Sequence, residues 1–441
     1  MRRLTWALVA CLVLPAWVAI APGEAAAPGR LGSPARPAPG RVSAGTSPRH
    51  ASATRALETG QAASAAWKEK IHQIANSKSM GISVRLDGDV LFERSAKTRR
   101  VPASNEKLLL SMALYSSLGT DHRFKTKAAG TSFDGAVVDG DLYVMGSGDP
   151  TVAGSAKFAR GLPFRATRLG RLARTIRAAG VTNITGRVVG AVNYFSHDWF
   201  APGWKSYFPS TYVALPSALA FNGNRVGGIH ISDPEVRVAR SLTKKLRKLG
   251  ISVAGTPGAG APPPGLTPIA SIRSKPLDVL VAYMNRRSSN FFAEVLGKRL
   301  GVKEYGRPGT IAKAAAAITS WSAGHGVTVT AYDGSGLSYS NRISARGMTR
   351  LLLAAEDATW GGRLRAGLAR ADQGTLEGRL HGVPIRAKTG TLTNISTLSG
   401  WVYLKQPKKW AAFSILSSGM PKSTAAKVED RIVRVLRRRA H

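Results

Sequence analysis

The sequence predicts an α+β protein, on three observations. Strand patterns gather near the two ends of the chain. Ile82, Val84 and Leu86, the turn Asp87-Gly88, then Val90 and Phe92 read as a hairpin, while IRAKTGTL, SGWVYL and WAAFSILSS follow one another before a final helix starting near Thr424. Long helical patterns lie between them, notably PASNEKLLLSMALYSSLG from Pro102 to Gly119 and the largely helical run Leu277 to Leu300. The length of 441 residues suffices for a large core and more than one domain.

In chain order, residues 67 to 76 read as a helix before the hairpin. The next helix runs from about Ser104 to Leu118, closed by Gly119. DGAVVDGDLYVMGSGDPTV is strand-like and turn-rich, Thr167 to Ala179 helical, NITGRVVGAV strand-like, and Pro234 to Leu249 helical. GTPGAGAPPPG, residues 255 to 265, reads as a surface loop, because its glycines lack the strand-to-helix setting of a phosphate-binding loop. No internal repeat is evident.

Charge and the N-terminus narrow the function. Lys and Arg number 63 against 25 Asp and Glu, a net charge of +38, which calls for an anionic partner. Arg2-Arg3, the apolar LTWALVACLVLPAWVAIA and the small residues Ala25-Ala26-Ala27 make residues 1–27 a secretory signal peptide, with a retained membrane anchor as the alternative. Export sets nucleic acid aside and points to the extracellular or periplasmic face of the envelope. Cys11, the one cysteine, lies inside that segment, where lipidation is disfavoured by the apolar residues after it, so the mature chain has no disulfide or thiolate chemistry. Residues 28–66, rich in Pro, Gly, Ser, Ala and Arg, read as a disordered basic linker. With Arg434, Arg437, Arg438 and Arg439 it is a candidate attachment to anionic cell-envelope polymers.

Lys107 is the residue that helix logic does not explain. It sits in the first turn of an apolar helix, where the dipole disfavours a cation, and Ser104 has no capping-box partner. Alone, S-x-x-K is a common chance pattern. Here Ser288-Ser289-Asn290 supplies an S-x-N and Lys388-Thr389-Gly390 a K-T-G on a predicted strand, the trio of serine β-lactamases and penicillin-binding proteins in the same chain order. The tempting alternatives are weaker. Tyr283-Met284-Asn285 is a Y-x-N, Asp333-Gly334-Ser335-Gly336 reads as a structural turn near the cleft, and Trp199, Trp204 and Trp360 read as core or wall-facing aromatics. The eight histidines show no ligand spacing, and neither metal nor cofactor is expected.

Beyond the trio, the chain resembles the low-molecular-mass, class C type penicillin-binding D-alanyl-D-alanine carboxypeptidase/endopeptidase family. The resemblance runs through GDLYVMGSGDPTV (140–152), ALPSALAFNGN (214–224), SKPLDVLVAYMNRRSSNFFAEVLG (274–297) and YDGSGLSYSNRIS (332–344), covering most of residues 67 to 439. It implies a serine penicillin-recognising (transpeptidase/β-lactamase-like) fold: an antiparallel sheet flanked by helices, with a β-rich accessory region inserted after the nucleophile helix. The catalytic domain would then comprise 67–124 and 276–441, with the insertion at 125–275. That insertion looks shortened, since GNRVGGIH passes almost directly into PEVRVARSLTKKLRKLG. Asn193 stands where the family often has an acidic residue.

The resemblance also implies roles. Ser104 would be the nucleophile and Lys107 its general base, depressed in pKa by burial, the helix end and Lys388. Ser288 would relay a proton to the leaving D-alanine, and Asn290 would hold Lys107 and a substrate amide. Lys388 and Thr389 would receive the substrate carboxylate, Gly390 would let the substrate backbone approach the strand, and the N–H groups of Ser104 and Thr391 would form the oxyanion hole. Peptidoglycan stem peptides are the implied substrates and β-lactams the inhibitors. A non-catalytic wall-binding homologue and a β-lactamase-like serine hydrolase stay as alternatives. The second is disfavoured because no E-x-x-L-N segment is present: Glu294 is followed by VLGK and Glu377 by GRLH.

Overall fold

Alternation along the strands and the 3.6-residue period of the helices decide which faces meet. The computed structural model describes residues 65–438, all within one compact unit, Thr54–His441. The expectations for the signal peptide and for linker residues up to 64 lie outside the described residues, as does Arg439. Among the described residues, no helix is long and apolar enough to cross a membrane.

Helix α1, described over residues 65–75, buries Trp67, Ile71 and Ile74. Strands β1 (Met80–Leu86) and β2 (Asp89–Arg94) form the expected antiparallel hairpin. A 3₁₀ turn, Ala103–Asn105, then leads into α2 (Glu106–Leu118). Ser104 therefore sits in the turn before the α-helix rather than inside it. Every residue of α2 from Glu106 to Tyr115 is buried, the signature of a helix packed on all sides.

Residues 125–273 build a second sheet. Its parts are β3 (Lys125–Gly130), β4 (Leu142–Met145), helix α3 (Leu169–Ala178), β5 (Val188–Ala191), helix α4 (Pro234–Arg247), β6 (Gly258–Gly260) and β7 (Thr267–Arg273). The strand order is β6-β5-β4-β3-β7, with β5 parallel to both neighbours and β3 antiparallel to both of its own. Leu169, Leu172, Ala173 and Ile176 of α3 share a core with Val238, Ala239, Leu242 and Leu246 of α4, which leaves the arginines of α3 outside. Two expectations are corrected here. The glycine-rich 255–265 segment is not all loop, because Gly258–Gly260 pairs with Val189–Ala191. Glycine is a poor strand former and gave no strand signal. Thr167–Arg168 is a short strand, so that helix starts at Leu169.

The chain then returns through α5 (Leu277–Arg287), α6 (Asn290–Tyr305), α7 (Ile311–Gly324) and α8 (Ala345–Asp357). The run expected to be largely continuous from Leu277 to Leu300 is broken at Ser288, which is left-handed (φ 52°, ψ 40°), and Ser289, whose hydroxyl caps α6 by accepting from the Phe292 N–H. Strands β8 (Ile385–Leu392), β9 (Ile395–Tyr403) and β10 (Trp410–Ser418) precede the terminal helix α9 (Lys422–Arg438). They complete an antiparallel sheet of order β8-β9-β10-β1-β2, with β8 at its edge. One face, carrying Leu398, Phe413 and Ile415, packs on α1 and α9, and the other, carrying Trp401, Ala412 and Leu416, joins the α2 core.

Leu110 of α2 ties these helices to the loop at residues 333–336. A Cβ placed on Gly334 would lie 3.3 Å from its Cδ2, and one on Gly297 of α6 would lie 3.8 Å from its Cδ1. Leu110→Ala is expected to lower the unfolding free energy by about 2–5 kcal/mol through cavity formation, read from urea denaturation by linear extrapolation. A loss below about 1 kcal/mol would show that the site collapses around the smaller side chain.

Candidate active site

Segments distant in sequence meet at the start of α2. Lys107 Nζ donates to Ser104 Oγ (3.0 Å), to Asn290 Oδ1 (2.8 Å), 183 residues away in sequence, and to the Ser335 carbonyl. An ammonium has three protons, so these acceptors saturate it. Lys107 is fully buried, and burial pushes its pKa down to about 8. Nearby Asp333, Glu294 and Glu106 pull the other way and keep the fall from being larger. The repulsion expected from Lys388 falls on Lys388 itself, which is held well below the ordinary lysine range by burial first and by Lys107 second.

The second serine is placed by the helix break. Left-handed Ser288 turns its hydroxyl toward β8, where Lys388 Nζ donates to Ser288 Oγ (2.9 Å) and to the Thr389 carbonyl (2.6 Å). Lys388 is fully buried, and no carboxylate pairs with it among the described residues. Its charge therefore reaches the cleft through Ser288, a less direct arrangement than a cation lining the cleft. Asn290, the first residue of α6, turns Oδ1 to Lys107 and Nδ2 to the Tyr212 carbonyl (3.1 Å). The amide group expected to hold a substrate is thus engaged by Tyr212.

Edge strand β8 supplies the opposite wall. The Ala387 N–H donates outward to Ala369 O, so alternation also directs the Thr389 and Thr391 backbone groups away from β9. Gly390 is required for a reason different from the expected one. A Cβ there would lie 2.2 Å from Thr397 Oγ1 and 2.9 Å from both Pro102 O and Ser104 N, so glycine admits the Ser104 turn against the strand. Thr397 Oγ1 donates to Pro102 O (2.8 Å) and Asn105 Nδ2 to Ser399 Oγ (2.7 Å), fastening that turn to β9. The resulting cleft, about 440 Å³, is lined by Ser104, Ser288, Asn290 and Thr391 with the aromatic rings of Tyr207, Tyr212 and Tyr339.

The Asp333-Gly334-Ser335-Gly336 turn lies beside the site, as expected from the sequence, whereas Glu294 and Glu106 escape sequence reasoning. Asp333 accepts hydrogen bonds from Trp204 Nε1 (2.7 Å), the N–H groups of Gly336 and Ser338, and Asn341 Nδ2. Glu294 Oε1 accepts from Gly334 N (3.2 Å) and Ser335 N (2.7 Å). Together they fix the loop whose carbonyl meets Lys107. Burial raises the Glu294 carboxyl to about 8 and pushes Glu106, neither of whose oxygens has a partner, well above the carboxylate range. Glu294 follows Asn290 by four residues and so shares its helix face, the one available sequence signal. Gly336 is left-handed (φ 78°), and a Cβ on it would lie 1.9 Å from Ala103 O, so the loop packs directly on the nucleophile turn.

The other sequence candidates lie elsewhere. Asn285 of the Y-x-N is buried and donates to Ser111 Oγ (2.9 Å), while Tyr283 packs on Phe164 and Phe292. Asn193 lines a separate cavity with Arg299 and Arg307.

The family model for D-Ala-D-Ala carboxypeptidase 3 (S13) matches residues 64–229 and 227–439. The chain belongs to this family. A carboxypeptidase of Mycobacterium tuberculosis is 29% identical over 341 residues, covering 72% of this chain and 71% of the relative. A D-alanyl-D-alanine carboxypeptidase of Actinomadura sp. is 26% identical over 440 residues, covering 78% of each. Penicillin binding protein 4 of Haemophilus influenzae superposes with a TM-score of 0.69 at 20% identity, over 84% of this chain and 99% of its own. This S13 chain therefore has the penicillin-binding-protein fold.

Gly390→Ala is expected to slow acylation of the site by at least about two orders of magnitude by displacing the Ser104 turn, since shifts of about 1 Å cost that much in oriented reactions. A fluorescent penicillin would measure it, and an unchanged rate would contradict the close approach of β8 to that turn.

Proposed function

We propose that this chain is an exported serine D-alanyl-D-alanine carboxypeptidase, also fitted to endopeptidase action on peptidoglycan stem peptides, working through an acyl-enzyme on Ser104. The observation that carries the reading is the contact of a fully buried, depressed-pKa Lys107 with the Ser104 hydroxyl. Neutral Lys107 takes the Ser104 proton as Oγ attacks the carbonyl of the penultimate D-alanine. The Ser104 N–H and the outward Thr391 N–H stabilise the developing oxyanion. The amide C–N bond breaks as its nitrogen receives a proton by way of Lys107 and Ser288, D-alanine leaves, and water then cleaves the ester.

The terminal carboxylate of the substrate would rest against Thr389 and Thr391, with Lys388 supplying positive charge through Ser288. Asn290 holds Lys107 in place. The segments flanking 65–438 are basic, and attachment of the enzyme to anionic envelope polymers through them belongs to the same reading.

The proposal makes benzylpenicillin a label for Ser104, because a β-lactam presents a carboxylate and a strained carbonyl in the same relation as acyl-D-Ala-D-Ala. Tryptic mapping should place the adduct on Ser104, and a label on Ser288 or Ser335 would overturn the assignment. The acylation rate should rise with pH through about 8 as Lys107 loses its proton. Lys107→Arg should lose at least about two orders of magnitude, because arginine stays charged. A flat profile, or retained acylation in the variant, would remove Lys107 as the base.

The cleft lining holds no Asp or Glu. Glu294 is buried and committed to the 333–336 loop, and Glu377 is exposed elsewhere, so no carboxylate is poised to activate water on a penicilloyl ester. In that adduct the leaving nitrogen stays tethered, whereas D-alanine diffuses away from a peptidyl-enzyme. Turnover of a D-Ala-D-Ala peptide should therefore be fast and the penicillin adduct long-lived on the same serine. Stopped-flow acylation with chase measures both, and clearance of the adduct within seconds would favour a β-lactamase.

A further inference from the structure

Outside the cleft, the strongest concentration of charge lies where the second sheet meets α3. Arg165 and Arg168 precede the helix, Arg171 and Arg174 project from its exposed face, and Arg273 and Lys275 follow from the end of β7. With Arg123 they surround a concavity of about 350 Å³. No acidic residue lines it, and none of these cations makes an ion pair among the described residues. Beneath the floor, the lining residue Thr167 donates at 2.5 Å to Asp149, which is fully buried and also accepts from Thr151. Arg123 Nη1 donates to Ser274 O (3.0 Å), which fixes one wall.

The charge does not stop at this concavity. Beside α3, the face of α4 carries Arg240, Lys244, Arg247 and Lys248 around a second concavity of about 530 Å³, also without an acidic residue. The two faces adjoin, because a Cβ on Gly170 of α3 would lie 4.0 Å from the Lys245 side chain of α4. Both helices carry most of their buried apolar residues inward, so packing of the second sheet accounts for their inner faces, and of the cations lining the second concavity, Arg247 donates to the Val253 carbonyl (2.7 Å) while none makes an ion pair among the described residues.

We propose that this folded region is a binding site for a phosphodiester-linked envelope polymer whose repeat carries no aromatic base, such as a polyol phosphate. Guanidinium forks match phosphate oxygens in bidentate fashion, and arginine rather than lysine dominates the first concavity. Two adjoining basic concavities suit an anion that repeats along a chain better than a single phosphate. Neither is lined by an aromatic side chain, the element on which single-stranded nucleic acid stacks. The site deepens the envelope-attachment reading but does not need the flanking basic segments.

The test uses the full chain and fluorescently labelled poly(glycerol phosphate), with affinity read by anisotropy across a salt series. Arg171→Ala/Arg174→Ala/Arg273→Ala should weaken binding at least about tenfold and flatten the slope of log K against log salt by about 2 to 3. Its urea midpoint and penicillin labelling of Ser104 serve as folding controls. A second variant replaces Arg30, Arg36, Arg41, Arg49 and Arg55 by serine and is expected to retain polymer affinity. Unchanged affinity in the first variant overturns the site, and a loss confined to the second would locate attachment in the N-terminal segment instead. Poly-glutamate, single-stranded DNA and phosphatidylglycerol vesicles are the comparison probes. Binding of poly-glutamate as tight as that of poly(glycerol phosphate) overturns the phosphodiester assignment, equally tight binding of single-stranded DNA or of the vesicles overturns the base-free polymer as the occupant, and inorganic pyrophosphate should compete for the pocket.

Discussion

A lysine ammonium buried without solvent must find acceptors for all its protons or lose its charge, and the catalytic half of this protein is arranged around that constraint at Lys107. Ser104 Oγ, Asn290 Oδ1 and the Ser335 carbonyl come from three segments of the chain that converge on this one cation. Helix α2 is buried on nearly all sides so that water does not substitute for them. The helical run after Leu277 must break at Ser288 so that α6 can start at Asn290 and point its first side chain inward. Loop 333–336 must be stiff, and Asp333 and Glu294 make it so through buried hydrogen bonds.

The same constraint explains how charge is apportioned below the cleft. Two buried lysines and three buried acids would be intolerable if all were ionised without pairing. Glu106 and Glu294 are pushed toward their neutral forms, while Asp333 accepts hydrogen bonds on both of its oxygens. Asp333 and Glu294 therefore oppose, without abolishing, the loss of a proton by Lys107. A lysine surrounded only by apolar groups would titrate far lower. One salt-bridged to an ionised acid would stay protonated. The present surroundings hold it near 8, where a useful fraction is free base at neutral pH while its conjugate acid can still return a proton.

Much of this was legible in the sequence, and the exceptions share a physical cause. The residue types at Ser104, Lys107, Ser288, Asn290 and Lys388-Thr389-Gly390 are visible because their local spacing is fixed by one helical turn or one strand. The hairpin at 80–94 and strands β8 to β10 are visible because alternation with apolar residues marks them. What stayed hidden depends on contacts between remote segments. Glycine at 390 looks like room for substrate until Pro102 and Ser104 are seen against it, and Gly258–Gly260 looks like loop until Val189–Ala191 pairs with it. The burial of Glu106 and Glu294 was hidden for the same reason, since only tertiary packing encloses them.

Charge placement then separates two tasks that composition alone had merged. The cleft is lined by hydroxyls, an amide and tyrosine rings, with its cations held beneath the floor, so a substrate carboxylate meets a positive potential without a competing exposed lysine. A dense group of exposed cations lies instead on α3, α4 and the end of β7, on the far side of helices whose inner faces are mostly apolar. Exposed charges are screened over about one Debye length, roughly 8 Å at physiological salt, whereas Lys107 is fully buried in a packed core. If attachment and catalysis are divided in this way, a large net positive charge is compatible with Lys107 acting as a general base that spends part of its time uncharged.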